Sequence, residues 1–146
     1  MKTLTFIFSA LIFLFFADLL YSCNAQSAVK QTDKEPTDNR MVKVYYFHFT
    51  RRCATCLHVE EQSKLAVKSL YPYEIEEGRI SFEAVNIEEK SGEKLAKETG
   101  VYGQALLIVK GEEKIDLTSE GFLYSTYNPQ KLRQVLKEKI DPLLFQ

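Results

Sequence analysis

Cys53 and Cys56 are separated by two residues within the stretch FHFTRRCATCLHVEE, directly after a run of strand-forming residues. If a helix begins at or near Cys53, the two Cβ atoms lie about 5–6 Å apart, from which a small adjustment reaches disulfide distance. Unpaired amides at a helix N-terminus stabilise an anion, so the Cys53 sulfur is favoured as a thiolate. The pattern predicts thiol–disulfide exchange, with Cys53 as the nucleophile and Cys56 as the shielded resolving thiol.

Charged and titratable side chains near the pair are candidates for tuning this chemistry. Arg51 and Arg52 add to the stabilisation of the thiolate if they point toward the sulfur. Histidine titrates near neutral pH, so His48 is a candidate proton shuttle, although side-chain alternation along a strand favours a packed histidine that faces away from the resolving thiol. Glu60 and Glu61 are interpreted as solvated charges that suit the start of a helix.

Two other interpretations of the cysteine pair stay open. In the first, both thiolates hold a soft metal or metalloid ion, with His58 as a further ligand. A structural zinc site needs four ligands, and outside the leader only His48 and His58 offer further Cys or His donors. In the second, the pair is a permanent structural disulfide, which would add little stability because the loop that it closes is so short. The favoured interpretation includes neither a metal nor a cofactor.

The elements that must position the pair follow from hydrophobic periodicity. Strand patterns cover residues 42–49, 80–87, 105–110 and 114–118, and helix patterns cover 56–70, 91–99 and the residues after Asn128. Gly100 is the expected C-cap of the second helix, and Asn128 and Pro129 are expected to open the last one. The order βαβαββα predicts an α/β fold with a mixed sheet of about four strands and helices on both faces. Two helical crossovers predict parallel pairing of the first three strands, and the short turn at Gly111 predicts an antiparallel fourth.

Residues 119–129, SEGFLYSTYNP, are predicted to form a loop that is unusually rich in aromatic residues. Phe122, Tyr124 and Tyr127 either pack as a lid on the last helix or form a docking surface for a partner.

Residues 1–25 resemble an export signal, because residues 4–20 are nearly all apolar and follow the single positive charge of Lys2. A retained membrane span is the alternative, since about 17 apolar residues is the lower limit for crossing a bilayer. Asp18 would be costly in lipid, which favours export.

Two processing events compete after the apolar stretch. Cys23 ends a sequence that resembles a lipoprotein box and would then be lipidated, whereas cleavage after Ala25 would be of the ordinary secretory kind. Residues 26–40 are polar and aperiodic, which predicts a disordered linker before a domain at 41–146. The net charge of −1 is unchanged by loss of the leader and gives no basic surface for nucleic acid.

The segment from residue 41 to residue 144 resembles thioredoxin-fold proteins, with CATC after the first strand, VNIEEKSGEKLAKETGVYGQALLIVKG in the middle and a terminal helix. YYFHFTRRCATC, GQALLIVKG and DLTSEGFLY are more closely similar to bacterial thioredoxin-like proteins known as nitrophenyl compound nitroreductase subunits of the ArsF family. This resemblance implies partnership in a reductase complex, since the chain has no flavin or nicotinamide motif of its own.

Two positions depart from the thioredoxin pattern. The loop facing the cysteine pair ends in Gln104 and Ala105, where thioredoxins have a cis-proline; a cis bond before alanine costs roughly 2.5–4 kcal/mol, so a trans bond is expected. Phe47 stands where thioredoxins have a buried acid that assists proton transfer to the resolving thiol. Ala54 and Thr55 include neither proline nor histidine, which argues against a strongly oxidising pair.

These observations together predict an exported, periplasmic thiol–disulfide oxidoreductase that is tethered to the membrane if Cys23 is lipidated. Its expected partners are protein thiols or disulfides, or a small-molecule reductant. The alternatives are a soft-metal binding module and a redox-inert accessory subunit of a reductase complex.

Overall fold

The computed structural model describes residues 40–145, so the predicted export signal, Cys23 and nearly all of the predicted linker lie outside the described residues. The strands are β1 (Val42–His48), β2 (Ile80–Asn86), β3 (Ala105–Lys110) and β4 (Glu113–Asp116), and the helices are α1 (Ala54–Leu70), α2 (Pro72–Glu76), α3 (Lys90–Thr99), α4 (Thr118–Tyr124) and α5 (Pro129–Leu144). No helix within this range is long and apolar enough to cross a membrane.

The four strands form one mixed sheet in the order β2-β1-β3-β4. β1 and β2 are parallel, from the pair Val42 and Ile80 to the pair His48 and Asn86. β3 runs antiparallel to β1 and β4 antiparallel to β3, with Gly111 in a left-handed conformation at the turn between them. The antiparallel fourth strand is therefore confirmed.

The predicted parallel pairing of the third strand is wrong. β1 and β2 finish at the same end of the sheet, and β3 also starts there, with Ala105 opposite Phe47. The segment that contains α3 therefore returns the chain to the end of the sheet that it left. Because this connection is not a parallel crossover, β3 runs antiparallel to β1.

Apolar side chains cover both faces of the sheet, as the fold class predicts. On one face, Tyr46 and Leu106 pack with α1 and α5 in a core whose other fully buried members are Val42, Val44, Val59, Val67, Ile108, Leu132, Leu136 and Ile140. On the other face, Phe47 and Ala105 pack with Ala96 of α3. Alternation along β1 therefore separates Tyr46 from Phe47.

Helix ends follow local capping chemistry. Gly100 has φ of 79° and is the left-handed C-cap of α3, as predicted. The Asn128 side chain accepts a hydrogen bond from the Lys131 amide at 3.1 Å, and Pro129 occupies the first turn of α5, also as predicted. The short helix α2 was not predicted.

Residues 118–124 form α4, so the prediction of a loop throughout 119–129 is wrong. Gly121 of α4 packs tightly against α1 and β3: an added Cβ would be 3.1 Å from Val59 Cγ1 and 3.2 Å from Leu106 Cδ2. Phe122 and Tyr124 pack against the core, which confirms the packed interpretation for these two side chains. Tyr127 is 91% exposed.

Candidate active site

The cysteine pair lies where β1 gives way to α1. β1 ends at His48, and α1 begins at Ala54, with Cys53 as its N-cap residue. Because β3 is antiparallel to β1, the loop 101–104 reaches the same edge of the sheet as the segment that leads to the pair. The cysteine pair and the loop predicted to face it therefore lie at the same end of the sheet.

Cys53 and Cys56 form a disulfide, with their Cα atoms 5.1 Å apart. Each backbone amide donates to the other residue's sulfur: Cys56 N to Cys53 Sγ at 3.2 Å, and Cys53 N to Cys56 Sγ at 3.2 Å. The sulfurs therefore take the place of the oxygen atoms in a capping box. Cys53 Sγ lies at the positive end of the α1 dipole, the geometry that the predicted exchange requires.

The two cysteines differ strongly in accessibility. Cys53 is exposed, whereas Cys56 is only 2% exposed and belongs to the buried face of α1. A partner approaching from solvent therefore reaches the first sulfur before the second. This asymmetry suits an attacking and a resolving thiol, which are the roles predicted for these residues.

A polar network anchors the segment between β1 and the pair. Thr50 N–H donates to Glu88 Oε2 at 2.7 Å, and Asn86 Nδ2 donates to Thr50 Oγ1 at 3.0 Å. Hydrogen bonds from Thr50 hold the pKa of the Glu88 carboxyl below its usual range. This network was not predicted from the sequence because its members are up to 38 residues apart, and no local sequence pattern indicates such a contact.

Arg52 and Glu60 form an ion pair beside the site. Arg52 Nη1 donates to Glu60 Oε2, and the two side chains are 25% and 22% exposed. The interpretation of Glu60 as a solvated charge is therefore wrong, while Glu61 is exposed as predicted. Arg51 is also exposed. Stabilisation of the thiolate by either arginine stays a prediction, and the carboxylate of Glu60 already engages one of them.

The buried hydroxyl of Tyr46 is influenced electrostatically by both members of this ion pair. The side chain is fully buried, and its hydroxyl has no hydrogen-bond partner among residues 40–145. Burial raises the pKa of Tyr46 to about 12, against a lowering effect of the Arg52 charge and with a smaller raising effect of Glu60. The Tyr46 side chain is therefore a buried polar group whose ionisation depends on both charges.

His48 lies on the same sheet face as Tyr46, with the two ring centroids 6.1 Å apart. It is buried, and its Nδ1 donates to Phe49 O at 2.9 Å. This face is the one that α1 covers, so alternation does not direct His48 away from the helix. Its role as a proton shuttle stays a prediction. His58 is exposed, as expected.

The loop 101–104 lacks the feature that thioredoxins have at this position. No cis peptide bond occurs among residues 40–145, so Ala105 follows a trans bond, as expected. Ala105 is buried beside Phe47, whereas Gln104 is half-buried and Tyr102 is 90% exposed. No group of three or more His, Cys, Asp or Glu side chains with metal-binding geometry occurs in the described part of the chain.

A comparison with protein-family models found no match, and a comparison with curated proteins found none. Among solved structures, the chain is similar to thioredoxin O2 from Arabidopsis thaliana in the oxidized state, at 18% identity and a TM-score of 0.48, over 69% of this chain and 76% of that one. It is also similar to a malarial protein at 19% identity and a TM-score of 0.39, over 57% of this chain and 90% of that one. The fold is therefore assigned from the chain's own topology.

The strand order, the pairing directions and the helices on both faces define a thioredoxin-like fold. Its CxxC pair forms a disulfide at the N-terminus of α1 and is suited to thiol–disulfide redox chemistry. No comparison supports the narrower resemblance to nitroreductase subunits.

Proposed function

We propose that this protein is a thiol–disulfide oxidoreductase that exchanges its Cys53–Cys56 disulfide with a partner protein or a small-molecule reductant. One observation carries the proposal: an exposed sulfur accepts a backbone amide hydrogen bond at a helix N-terminus, with a second, buried sulfur bonded to it. Amide donors and the helix dipole stabilise a thiolate at Cys53, which makes this thiol both a better nucleophile at neutral pH and a better leaving group.

The reduced protein acts in two steps. The Cys53 thiolate attacks a sulfur of the partner's disulfide, forming a mixed disulfide and releasing the other partner sulfur as a thiolate. The Cys56 thiolate then attacks Cys53 Sγ, which forms the internal disulfide and releases the second partner sulfur. The partner gains two electrons and the protein loses two. The reverse sequence oxidises a partner dithiol.

A redox titration tests the proposal directly. The protein is equilibrated in buffers of graded dithiol–disulfide ratio, its free thiols are alkylated, and the two states are separated by mass. A single reversible two-electron transition is expected, and Cys53→Ser should abolish it. In Cys56→Ser the mixed disulfide cannot resolve, so this variant should accumulate covalent complexes with its partners. Absence of a reversible transition between residues 53 and 56 would remove the proposal.

Composition between the cysteines supports an intermediate to reducing potential, since Ala54 and Thr55 provide no charge that would further stabilise the thiolate. The midpoint of the same titration measures it. A midpoint as positive as that of the strongly oxidising members of the fold would contradict this part of the proposal.

Export to the periplasm and lipid attachment at Cys23 are proposals from the sequence of the first 25 residues. Metabolic labelling with a radioactive fatty acid, compared between the native chain and Cys23→Ser, tests the lipid, and cell fractionation tests the compartment. Unlabelled native protein in the cytoplasmic fraction would contradict both.

The resemblance to nitroreductase subunits leads to the proposal that the partner is a reductase complex. Partners captured by Cys56→Ser identify it. If a reductase co-purifies with the protein and keeps its full activity with Cys53→Ser, the chain is a redox-inert accessory subunit.

A further inference from the structure

We infer that Glu60 is the group that accepts the proton of the Cys56 thiol when this thiol resolves the mixed disulfide, with Arg52 holding its carboxylate in place. The inference rests on the proposed function and adds a residue to it. It locates the proton acceptor on the helix rather than on the strand, where Phe47 offers no titratable group.

The helix places the two side chains together. Glu60 follows Cys56 by four residues in α1, so their Cβ atoms are about 5–6 Å apart on one helix face. Helical side chains lean toward the N-terminus, which directs the Glu60 side chain over the turn that contains Cys56.

The ion pair with Arg52 further defines the direction of the Glu60 side chain. Arg52 precedes the helix, and its Nη1 reaches Glu60 Oε2 across eight residues. To make this contact, the carboxylate extends back along α1 toward the start of the helix, on the side where Cys56 is buried. From this placement we expect the Cys56 sulfur to lie within reach of the Glu60 carboxylate, directly or through one water molecule.

The surroundings suit transfer of a proton from a buried thiol to solvent. The Glu60 side chain is 22% exposed, so its carboxylate can exchange a proton with water. Of the charged and titratable groups around it, Arg52 pairs with it, and the buried Tyr46 hydroxyl is influenced electrostatically by both charges. On the α4 side, Gly121 packs against Val59 of α1, and the half-buried Glu120 precedes it in the sequence.

The neighbouring candidates fit this role less well. Glu61 is exposed and follows on a different side of α1. His48 is buried on β1 with its Nδ1 donating to the carbonyl of Phe49, whereas Glu60 is partly exposed to the water that must finally take the proton.

The step balances as follows. The Cys56 S–H bond breaks and its proton passes to a Glu60 carboxylate oxygen, while the sulfur's electron pair forms the bond to Cys53 Sγ. The bond between Cys53 and the partner's sulfur breaks, and that sulfur leaves as a thiolate. The partner's disulfide is the oxidant, and Glu60 afterwards releases its proton to solvent.

An aromatic disulfide whose thiolate product absorbs visible light separates the two steps. The reduced native protein releases one chromophore when Cys53 attacks and a second when Cys56 resolves the mixed disulfide. In Glu60→Gln, we expect the second release to slow by about a hundredfold or more at neutral pH, with the first little changed. Glu61→Gln is the matched control, with both steps as in the native protein.

The sign of the change distinguishes base catalysis from simple electrostatics. If Glu60 acted only through its negative charge, its removal would favour the Cys56 thiolate and accelerate the second step. A base role also predicts that added carboxylate buffer restores the second step in Glu60→Gln more than in the native protein. If the Gln variant does not fold, Glu60→Asp decides the matter, with a slowed second step and an unchanged first.

Three outcomes overturn the inference: an unchanged or faster second step in the Glu60 variants, equal slowing of both steps, or a slowed second step in His48→Asn alone. Failure of the proposed function is a separate result. In that case the native protein shows no reversible transition in the redox titration, whatever the Glu60 variants do.

Discussion

Two buried tyrosines allow one substitution to be tested in opposite contexts. The Tyr46 hydroxyl has no hydrogen-bond partner among residues 40–145, whereas Tyr71 Oη donates to Asp141 Oδ1 at 2.7 Å. Both side chains are almost completely buried. Replacement by phenylalanine removes the same atom from each site, so hydrophobic burial changes little and the hydrogen bond decides the sign.

Tyr46→Phe should stabilise the protein or leave its stability unchanged. A buried polar group without a partner costs about 1–3 kcal/mol. We expect a gain of roughly 1 kcal/mol in the free energy of unfolding, or a rise of about 4 °C in Tm for a domain of this size. Tyr71→Phe breaks a hydrogen bond to a carboxylate and should lose about 1–2 kcal/mol.

Alkaline pH adds a second readout. The pKa of Tyr46 is raised to about 12, so the unfolded state loses this proton near pH 10 while the folded state keeps it. This difference in pKa leaves the stability of the native protein unchanged below pH 10 and lowers it as the pH rises from about 10 toward 12. The advantage of Tyr46→Phe over the native protein should therefore grow between pH 10 and 12.

Urea unfolding followed by far-ultraviolet circular dichroism at pH 7 and pH 11 measures both effects. A loss of more than about 1 kcal/mol in Tyr46→Phe at pH 7 would refute the reasoning, because it would mean that the hydroxyl has a partner. An equal change in both variants would also refute it.

Other substitutions test the packing, the capping and the anchoring of the site. Gly121→Ala gains about 1 kcal/mol of helix propensity but forces a Cβ to 3.1 Å from Val59, and overpacking of about 1–3 kcal/mol should give a net loss in thermal unfolding. Asn128→Ala removes the N-cap of α5 and should cost about 1 kcal/mol in the same assay, whereas Asn128→Ser should recover most of it. Glu88→Gln replaces the charged acceptor of Thr50, so we expect faster amide hydrogen exchange at that residue by NMR, and equal exchange rates would contradict the anchoring role.

Features that depend on neighbours in the sequence could be predicted from the sequence. The CxxC spacing, the strand before it and the helix after it predict a disulfide-forming pair at a helix start, because one helical turn sets the distance between the two residues. Gly100 as a left-handed C-cap and Asn128 as an N-cap follow from the same local chemistry. The class of fold followed from the order of these elements.

Features that depend on distant residues were decided only by the tertiary structure. The direction of β3 depends on the end of the sheet to which the chain returns after α3. Helix α4 forms despite Gly121 because that glycine allows close packing on Val59. The Thr50–Glu88 hydrogen bond likewise could not be predicted from the sequence, because the two residues are 38 positions apart.

The ion pair of Arg52 and Glu60 combines the two kinds of information. The spacing of Glu60 from Cys56 is present in the sequence, but a glutamate in the first turns of a helix is more often solvated. In the folded chain Tyr46 is fully buried, and the side chains of Arg52 and Glu60 are 25% and 22% exposed. The sequence determines which side chains share a helix face. Burial, by contrast, arises only when that face packs on the sheet, and burial determines the chemical environment of a carboxylate.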